Sequence, residues 1–196
     1  MYTVIGGVRS RTLRVLWMLE ELGVEYDHQP ARPRSDEVRE FNPAGKVPIL
    51  IDDGTPITDS TAILTYLADK HGQFTHQAGT LDRAHQDSLT QFLLDEFDAN
   101  LWTAARHGFI LPEELRVSGI KNTLRWEFGR SQKTLITRMG KGPYLMSDRM
   151  TVPDFILTHC GRWAANAKFE ITEPRLEAYL EEMIARPAYQ RALSRE

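Results

Sequence analysis

The stretch "NPAGKVPIL", Asn42–Leu50, sets Pro48 at the mouth of an apolar run that otherwise reads as a β-strand. Proline has no N–H to give a ladder, and within a sheet it is tolerated at the first residue of a strand, where pairing has not begun. It is also the residue before which a cis peptide is least costly. A cis Val47–Pro48 bond would turn the N–H and C=O of Val47 outward, where an extended peptide can join them as if it were a further strand. An ordinary trans proline at a strand start is the other reading of the same residues.

Working outward, the first seventy or so residues alternate element types. Tyr2–Ile5 is a short β-branched run closed by Gly6-Gly7. Over Arg11–Leu22, the apolar residues Val15, Met18, Leu19 and Leu22 fit the i, i+3, i+4, i+7 template of a helix. Leu13, Leu16 and Trp17 add a second stripe, so this helix is expected to be covered on much of its circumference, and Gly23 stops it. Val24–Gln29 reads as a second strand and "RSDEVREFN" as a short polar helix. Val47–Asp52 and Pro56–Thr58 flank Asp53-Gly54, a turn pair that predicts a hairpin. Asp59–Lys70 is helical, with Ile63, Tyr66 and Leu67 at the right spacing. A crossover helix makes its flanking strands parallel and a hairpin makes its own antiparallel, so the order βαβ-α-ββ-α predicts a mixed sheet.

After Gly72 the periodicity changes. "QFTHQAGT" is a polar linker, and beyond it no segment reads as a strand. Helices are predicted over Leu81–His107, from Ile120 to Met139, over Thr151–Ala167 and Glu173–Ala185, and after Pro187. The fold class is therefore α/β plus all-α, with a small α/β domain over residues 1–73 and an all-helical domain over residues 80–196.

Composition narrows the functions open to such a chain. The 24 basic against 27 acidic side chains leave a net charge of −3, which provides no basic field for nucleic acid or an anionic membrane. No apolar run approaches the roughly 20 residues that span a bilayer. The N-terminus has no basic segment followed by a long apolar stretch, so no signal peptide is read and the chain is expected to be cytoplasmic. A single cysteine, Cys160, leaves no intrachain disulfide and no CxxC pair. It falls with Ile156 and Trp163 on one helical face, as a core residue does. The histidines show no metal-ligand spacing, so no metal is expected.

Five segments carry a resemblance that covers nearly the whole chain. "SRTLRVLWMLEELGVEY", "FNPAGKVPIL", "ITDSTAILTYLADKHG", "YLMSDRMTVPDF" and "EPRLEAYLEEMIARPAYQRAL" follow one another as they do in the cytosolic glutathione transferases, which this sequence resembles. The resemblance implies a thioredoxin-like N-terminal domain that holds glutathione as co-substrate. It also implies a helical-bundle C-terminal domain that shapes the pocket for a small hydrophobic electrophile, a detoxifying conjugation chemistry, and a homodimer.

Carried onto this sequence, the resemblance gives roles to six residues. Val47 and Pro48 would receive the cysteinyl N–H and C=O of glutathione. Asp59 and Ser60 open a helix, where unpaired N–H groups and the positive end of the dipole favour a carboxylate. Ser60 would take the γ-glutamyl carboxylate, and Asp59 would meet the α-ammonium or hold the loop. Plain helix capping is the other reading of both, and the two can coexist. Lys46 would neutralise the glycyl carboxylate or is a solvated loop lysine; Arg32 and Arg34 lie in a loop within reach of the same group and are not assigned. Ser10 would donate to the thiolate from the start of the first helix, or cap that helix. The loop before it departs from the family pattern, reading Gly7-Val8 where many serine-type members have Ser-Pro, so Arg9, Arg11 or Thr12 are alternatives at the sulfur; Tyr2 belongs to the strand and is a poor match to a tyrosine-type activator. Thr151-Val-Pro-Asp154 has capping-box spacing and reads as structural. Trp102, Arg106, His107 and Phe109 would line the electrophile pocket or belong to the core.

Overall fold

A computed structural model describes residues 1–195. By its internal packing the chain divides into two units, one of residues 1–75 with residues from Met183 onward, the other His76–Glu182.

The first unit is built on a four-stranded sheet in the order β2-β1-β3-β4. Its strands are β1 (Tyr2–Ile5), β2 (Tyr26–Gln29), β3 (Ile49–Asp52) and β4 (Thr55–Thr58). β1 runs parallel to β2 across helix α1 (Thr12–Leu22), and β3 is antiparallel to both β1 and β4. This is the mixed sheet that the element order predicts, in the thioredoxin-like form that the resemblance implies. The hairpin turn has Asp53 at φ 48° and Gly54 at φ 80°, the two left-handed residues of the turn that matches strand twist. β2 begins two residues later than the sequence suggests. Gly23 closes α1 in the left-handed region, and the N–H of Val24 reaches back to Leu19 O at 3.3 Å, so Val24 belongs to the helix stop. β3 begins at Ile49 because neither Pro48 nor Val47 enters the ladder.

α1 is buried from Thr12 to Leu19 without a gap, which is the physical content of its two apolar stripes. α2 (Asp36–Phe41) packs on the sheet and sinks Val38 against Ile5 and Ile49. α3 (Ser60–His71) packs beside α1 and ends at Gly72, φ 64°.

The last helix, α9 (Pro187–Leu193), also belongs to this unit, whereas the sequence division placed it with the helical domain. It lies on α1, with Tyr189 edge-on to Trp17 at 5.1 Å between centroids. Arg186 grips Glu21 with two bonds of 2.6 and 2.9 Å, and Arg191 and Arg195 hold Glu20 at 2.7 and 2.8 Å. Burial works against ionisation of Glu20, but bonds from Arg191, Tyr26 and Arg195 outweigh it and keep the carboxyl below its usual range.

The second unit is helical. α4 (Leu81–Leu93) and α5 (Ala99–Ala105) form one rod with widened π turns over Leu94–Asp98 and Arg106–Ile110. The buried stripe Leu89, Leu93, Phe97, Leu101 repeats every four residues, and such a stripe drifts around a 3.6-residue helix. The wider turns slow that drift and keep the stripe facing inward. Opposite it lie α6 (Ile120–Arg138) and α7 (Val152–Ala167), with Phe97, Phe128 and Phe169 edge-to-face at 5.1 and 5.5 Å. α8 (Pro174–Ile184) crosses α7 closely at Gly161, where a Cβ would stand 2.5 Å from Leu180 Cδ2. Asp154 at the start of α7 is fully buried. Its carboxylate accepts from the Thr151 N–H at 2.7 Å, the Leu145 N–H at 2.9 Å and the Tyr179 hydroxyl at 2.8 Å. That is the structural staple the capping-box spacing predicts. Cys160 is buried in α7.

Candidate functional site

Strand register brings the proposed glutathione residues of the first unit to one end of the sheet. Ile49 pairs with Ile5 on one side and with Thr58 on the other. The loop after β1, the Val47–Pro48 entry to β3 and the β4–α3 junction therefore leave the sheet at the same edge. At Gly6, φ 133°, an added Cβ would stand 2.3 Å from Thr12 Oγ1 and 2.9 Å from Val47 Cβ. Only a glycine lets the start of α1 and the Val47 segment approach so closely.

Val47 sits at the centre of this edge. The Val47–Pro48 peptide is cis. Independently of that, neither the N–H nor the C=O of Val47 has a partner among the described residues. Pro48 is buried beneath it, and Val47 itself is half-buried. The turn before Val47 is self-bonded: Asn42 Nδ2 donates to Lys46 O at 2.9 Å, and the N–H of Arg34 donates to Gly45 O at 2.8 Å. Arg34, at φ 71°, is thereby tied next to Lys46, and both side chains are exposed, as is Arg32.

The start of α3 is held by Asp59. One oxygen, Oδ1, accepts from the N–H groups of Thr61 at 2.9 Å and Ala62 at 3.1 Å. The capping reading of Asp59 thus holds, and Oδ2 stays available. Its backbone stands at φ 74°, ψ 123°, outside the regions an L-residue occupies readily and at a cost of about 1–3 kcal/mol. The N–H of Ser60 has no partner among the described residues. Its hydroxyl, 3% exposed, accepts from Arg14 Nη1 at 3.3 Å.

The start of α1 is arranged differently. Ser10 Oγ donates to Gly7 O at 2.8 Å, so the 2.8 Å contact between Ser10 Oγ and Thr12 Oγ1 must carry the threonine's proton. The Thr12 N–H donates to Ser10 Oγ as well, at 3.2 Å. A hydroxyl has one proton and two lone pairs. All three are engaged at Ser10, and the proton of Thr12 is engaged with them.

In the second unit, Trp102 and Arg106 lie one turn apart on α5 and its continuation, both half-buried. Arg106 Nη2 donates to Thr103 Oγ1 at 3.2 Å, and His107 Nδ1 accepts from the Val117 N–H at 3.1 Å. Phe109 is 72% exposed, so it is not a core residue. Among the described residues no cluster of His, Cys, Asp or Glu could hold a metal ion, and no helix is long and apolar enough to cross a membrane.

Sequence reasoning missed Arg14. It is 1% exposed and joins the start of α3 to α1 across 46 residues. The available signal was an arginine inside the unbroken apolar run of α1, between Leu13 and Val15.

Comparison with known proteins bears on this geometry. Residues 10–70 match the glutathione S-transferase N-terminal domain. The glutathione S-transferase GstA of Escherichia coli O157:H7 is 28% identical over 172 residues, covering 82% of this chain and 79% of GstA. A probable elongation factor 1-gamma 2 of Arabidopsis thaliana is 30% identical over 172 residues, and the chain spans only 40% of that protein's length. Among solved structures, a glutathione transferase from Methylococcus capsulatus str. Bath superposes with a TM-score of 0.83 at 26% identity, covering 98% of this chain and 97% of that one.

Proposed function

Since the chain belongs by its N-terminal domain and its fold to the glutathione S-transferase family, we propose that it binds glutathione at the Val47 edge and presents its thiolate to a small hydrophobic electrophile. One observation carries the reading: the N–H and C=O of Val47 and the N–H of Ser60, all without a partner among the described residues, lie at the same sheet edge. A tripeptide can pair its central residue with Val47 in the manner of a strand. Its γ-glutamyl carboxylate then meets the Ser60 N–H and hydroxyl at the positive end of α3. Asp59 keeps Oδ2 for the α-ammonium, and Lys46 offers a charge to the glycyl carboxylate. Each bond to a charged group contributes about 1.5–3 kcal/mol.

Activation falls to the start of α1. A thiol of pKa about 8.5 is mostly protonated at neutral pH. Ser10 lowers that value by turning its proton from Gly7 O to the sulfur, which leaves the Thr12 hydroxyl and N–H still bonded to Ser10 Oγ. The transferase reading extends to a detoxifying, cytoplasmic homodimer whose electrophile pocket lies in the helical part, on the Trp102 and Arg106 side of α5.

A second reading is favoured by the engagement of Ser10 and by the elongation factor 1-gamma match. In it the chain holds glutathione, or keeps only the fold, as a carrier or assembly module. Isothermal titration with glutathione, followed by an ultraviolet titration of the bound thiol, separates the two. Binding with a thiol pKa moved towards neutrality supports the transferase. Binding with an unmoved thiol supports the carrier, and no binding removes glutathione from both.

A further inference from the structure

We propose that Arg14 is a positioning residue that aims the Ser60 hydroxyl at the ligand's γ-glutamyl carboxylate, an inference that rests on the glutathione reading above. A guanidinium carries only donors, so in the 3.3 Å contact Ser60 Oγ must be the acceptor. One lone pair of the hydroxyl is thereby turned inward, and the single O–H proton is directed away from the cation. The N–H of the same residue, open among the described residues, stands at the end of the sheet where Val47 is also open. A carboxylate arriving there finds an O–H already oriented and polarised from behind by a cation. Donor, hydroxyl and carboxylate then form a chain of bonds running in one sense, each strengthening the next. Lysine could supply the charge but not the fixed, planar fork that sets the direction.

The burial of the pair supports a directional role. Arg14 is 1% exposed and Ser60 3%, so solvent water does not set the orientation of this hydroxyl. Arg14 is itself packed in the middle of a run of α1 in which Leu13, Val15 and Leu16 are each no more than 1% exposed.

The test compares two peptides by isothermal titration: glutathione, and 4-aminobutanoyl-cysteinylglycine, which lacks only the γ-glutamyl α-carboxylate. Wild type is expected to prefer glutathione. Arg14→Gln is expected to weaken glutathione about tenfold or more while leaving the analogue nearly unchanged, so the preference shrinks. Ser60→Ala should shrink it likewise, and adding Arg14→Gln to Ser60→Ala should cost little more; Arg14→Lys should restore part of the preference. If Arg14→Gln weakens both peptides equally, or adds its full effect to Ser60→Ala, Arg14 serves packing alone and the proposal falls while the glutathione reading stands. A wild type that binds neither peptide overturns both. If the Arg14 variants do not fold, arginine-labelled wild type is followed by ¹⁵N NMR. The Arg14 guanidinium resonances should move further with glutathione than with the analogue, and equal movement overturns the proposal.

Discussion

The starts of α1 and α3 leave the same end of the sheet, and each presents a serine there, Ser10 and Ser60, yet the two are bonded in opposite ways. Ser60 accepts from a buried arginine, which leaves its hydroxyl proton to be donated elsewhere, and its N–H has no partner among the described residues. Ser10 donates to Gly7 O and accepts twice from Thr12, which closes the loop on itself. In the glutathione reading, one helix start is ready to receive an anion as it stands. The other must exchange a partner before it can assist one. On the proposed reading binding and activation are therefore separable, and the relatives that this chain resembles include one named as a transferase and one named as an elongation factor 1-gamma.

The largest effect expected from this contrast is at Ser60. Ser60→Ala removes a bond to a charged group, so glutathione affinity should fall about 10–100-fold in isothermal titration. An unchanged affinity would mean that the carboxylate is held elsewhere. Ser10→Ala should act on the other side of the contrast. Turnover of an aryl halide is expected to fall about tenfold, with the bound thiol pKa raised, while affinity for S-methylglutathione stays level. Turnover equal to that of wild type would return Ser10 to plain capping and pass the sulfur to Thr12 or to backbone N–H groups.

Much of this site is legible in the sequence, though unevenly. "NPAGKVPIL" places Pro48 at a strand mouth because a residue without an N–H has few other positions in a sheet. "TDS" before an apolar periodic run announces a helix start because short polar side chains accept from its orphan N–H groups. The direction of each hydroxyl proton is not legible, since it depends on partners such as Gly7 O and Arg14 that only folding assembles. Nor does local periodicity show that α9 returns to α1. The Pro187–Leu193 pattern is amphipathic with any neighbour, and only the pairing of Arg186, Arg191 and Arg195 with Glu21 and Glu20 identifies the surface. Phe109 illustrates the reverse failure, an aromatic in a helical register that the structure leaves exposed.

A smaller effect sharpens the contrast from the backbone side. Asp59 combines a cap with a left-handed φ of 74°, and glycine tolerates that conformation. Asp59→Gly gives up the cap but relieves the strain, whereas Asp59→Ala keeps the strain and loses the cap. The glycine variant should therefore exceed the alanine variant in unfolding free energy by about 1–3 kcal/mol in urea titrations. Equal stabilities would mean that the backbone at Asp59 is not strained.

The smallest effect lies at the far end of α3, away from the proposed glutathione site. Lys70 and Tyr66 both donate to Asp52, and these bonds, the lysine's first, hold the Asp52 carboxyl below its ordinary value. A carboxyl depressed in the folded state stabilises above its unfolded pKa of about 3.9, and that contribution is lost as pH falls through the folded value. Asp52→Asn should flatten the acid limb of stability below about pH 4 without altering glutathione affinity. A matching loss of affinity would link the two ends of α3.

The central claim is that Val47 receives the ligand's main chain as a strand would. Backbone amide NMR of the ¹⁵N-labelled protein under saturating S-methylglutathione tests it most directly. The account predicts that the Val47 amide shifts downfield and its hydrogen exchange slows, with the Ser60 amide moving alongside. A Val47 amide that keeps its free-state shift and exchange rate while the ligand is bound would contradict it.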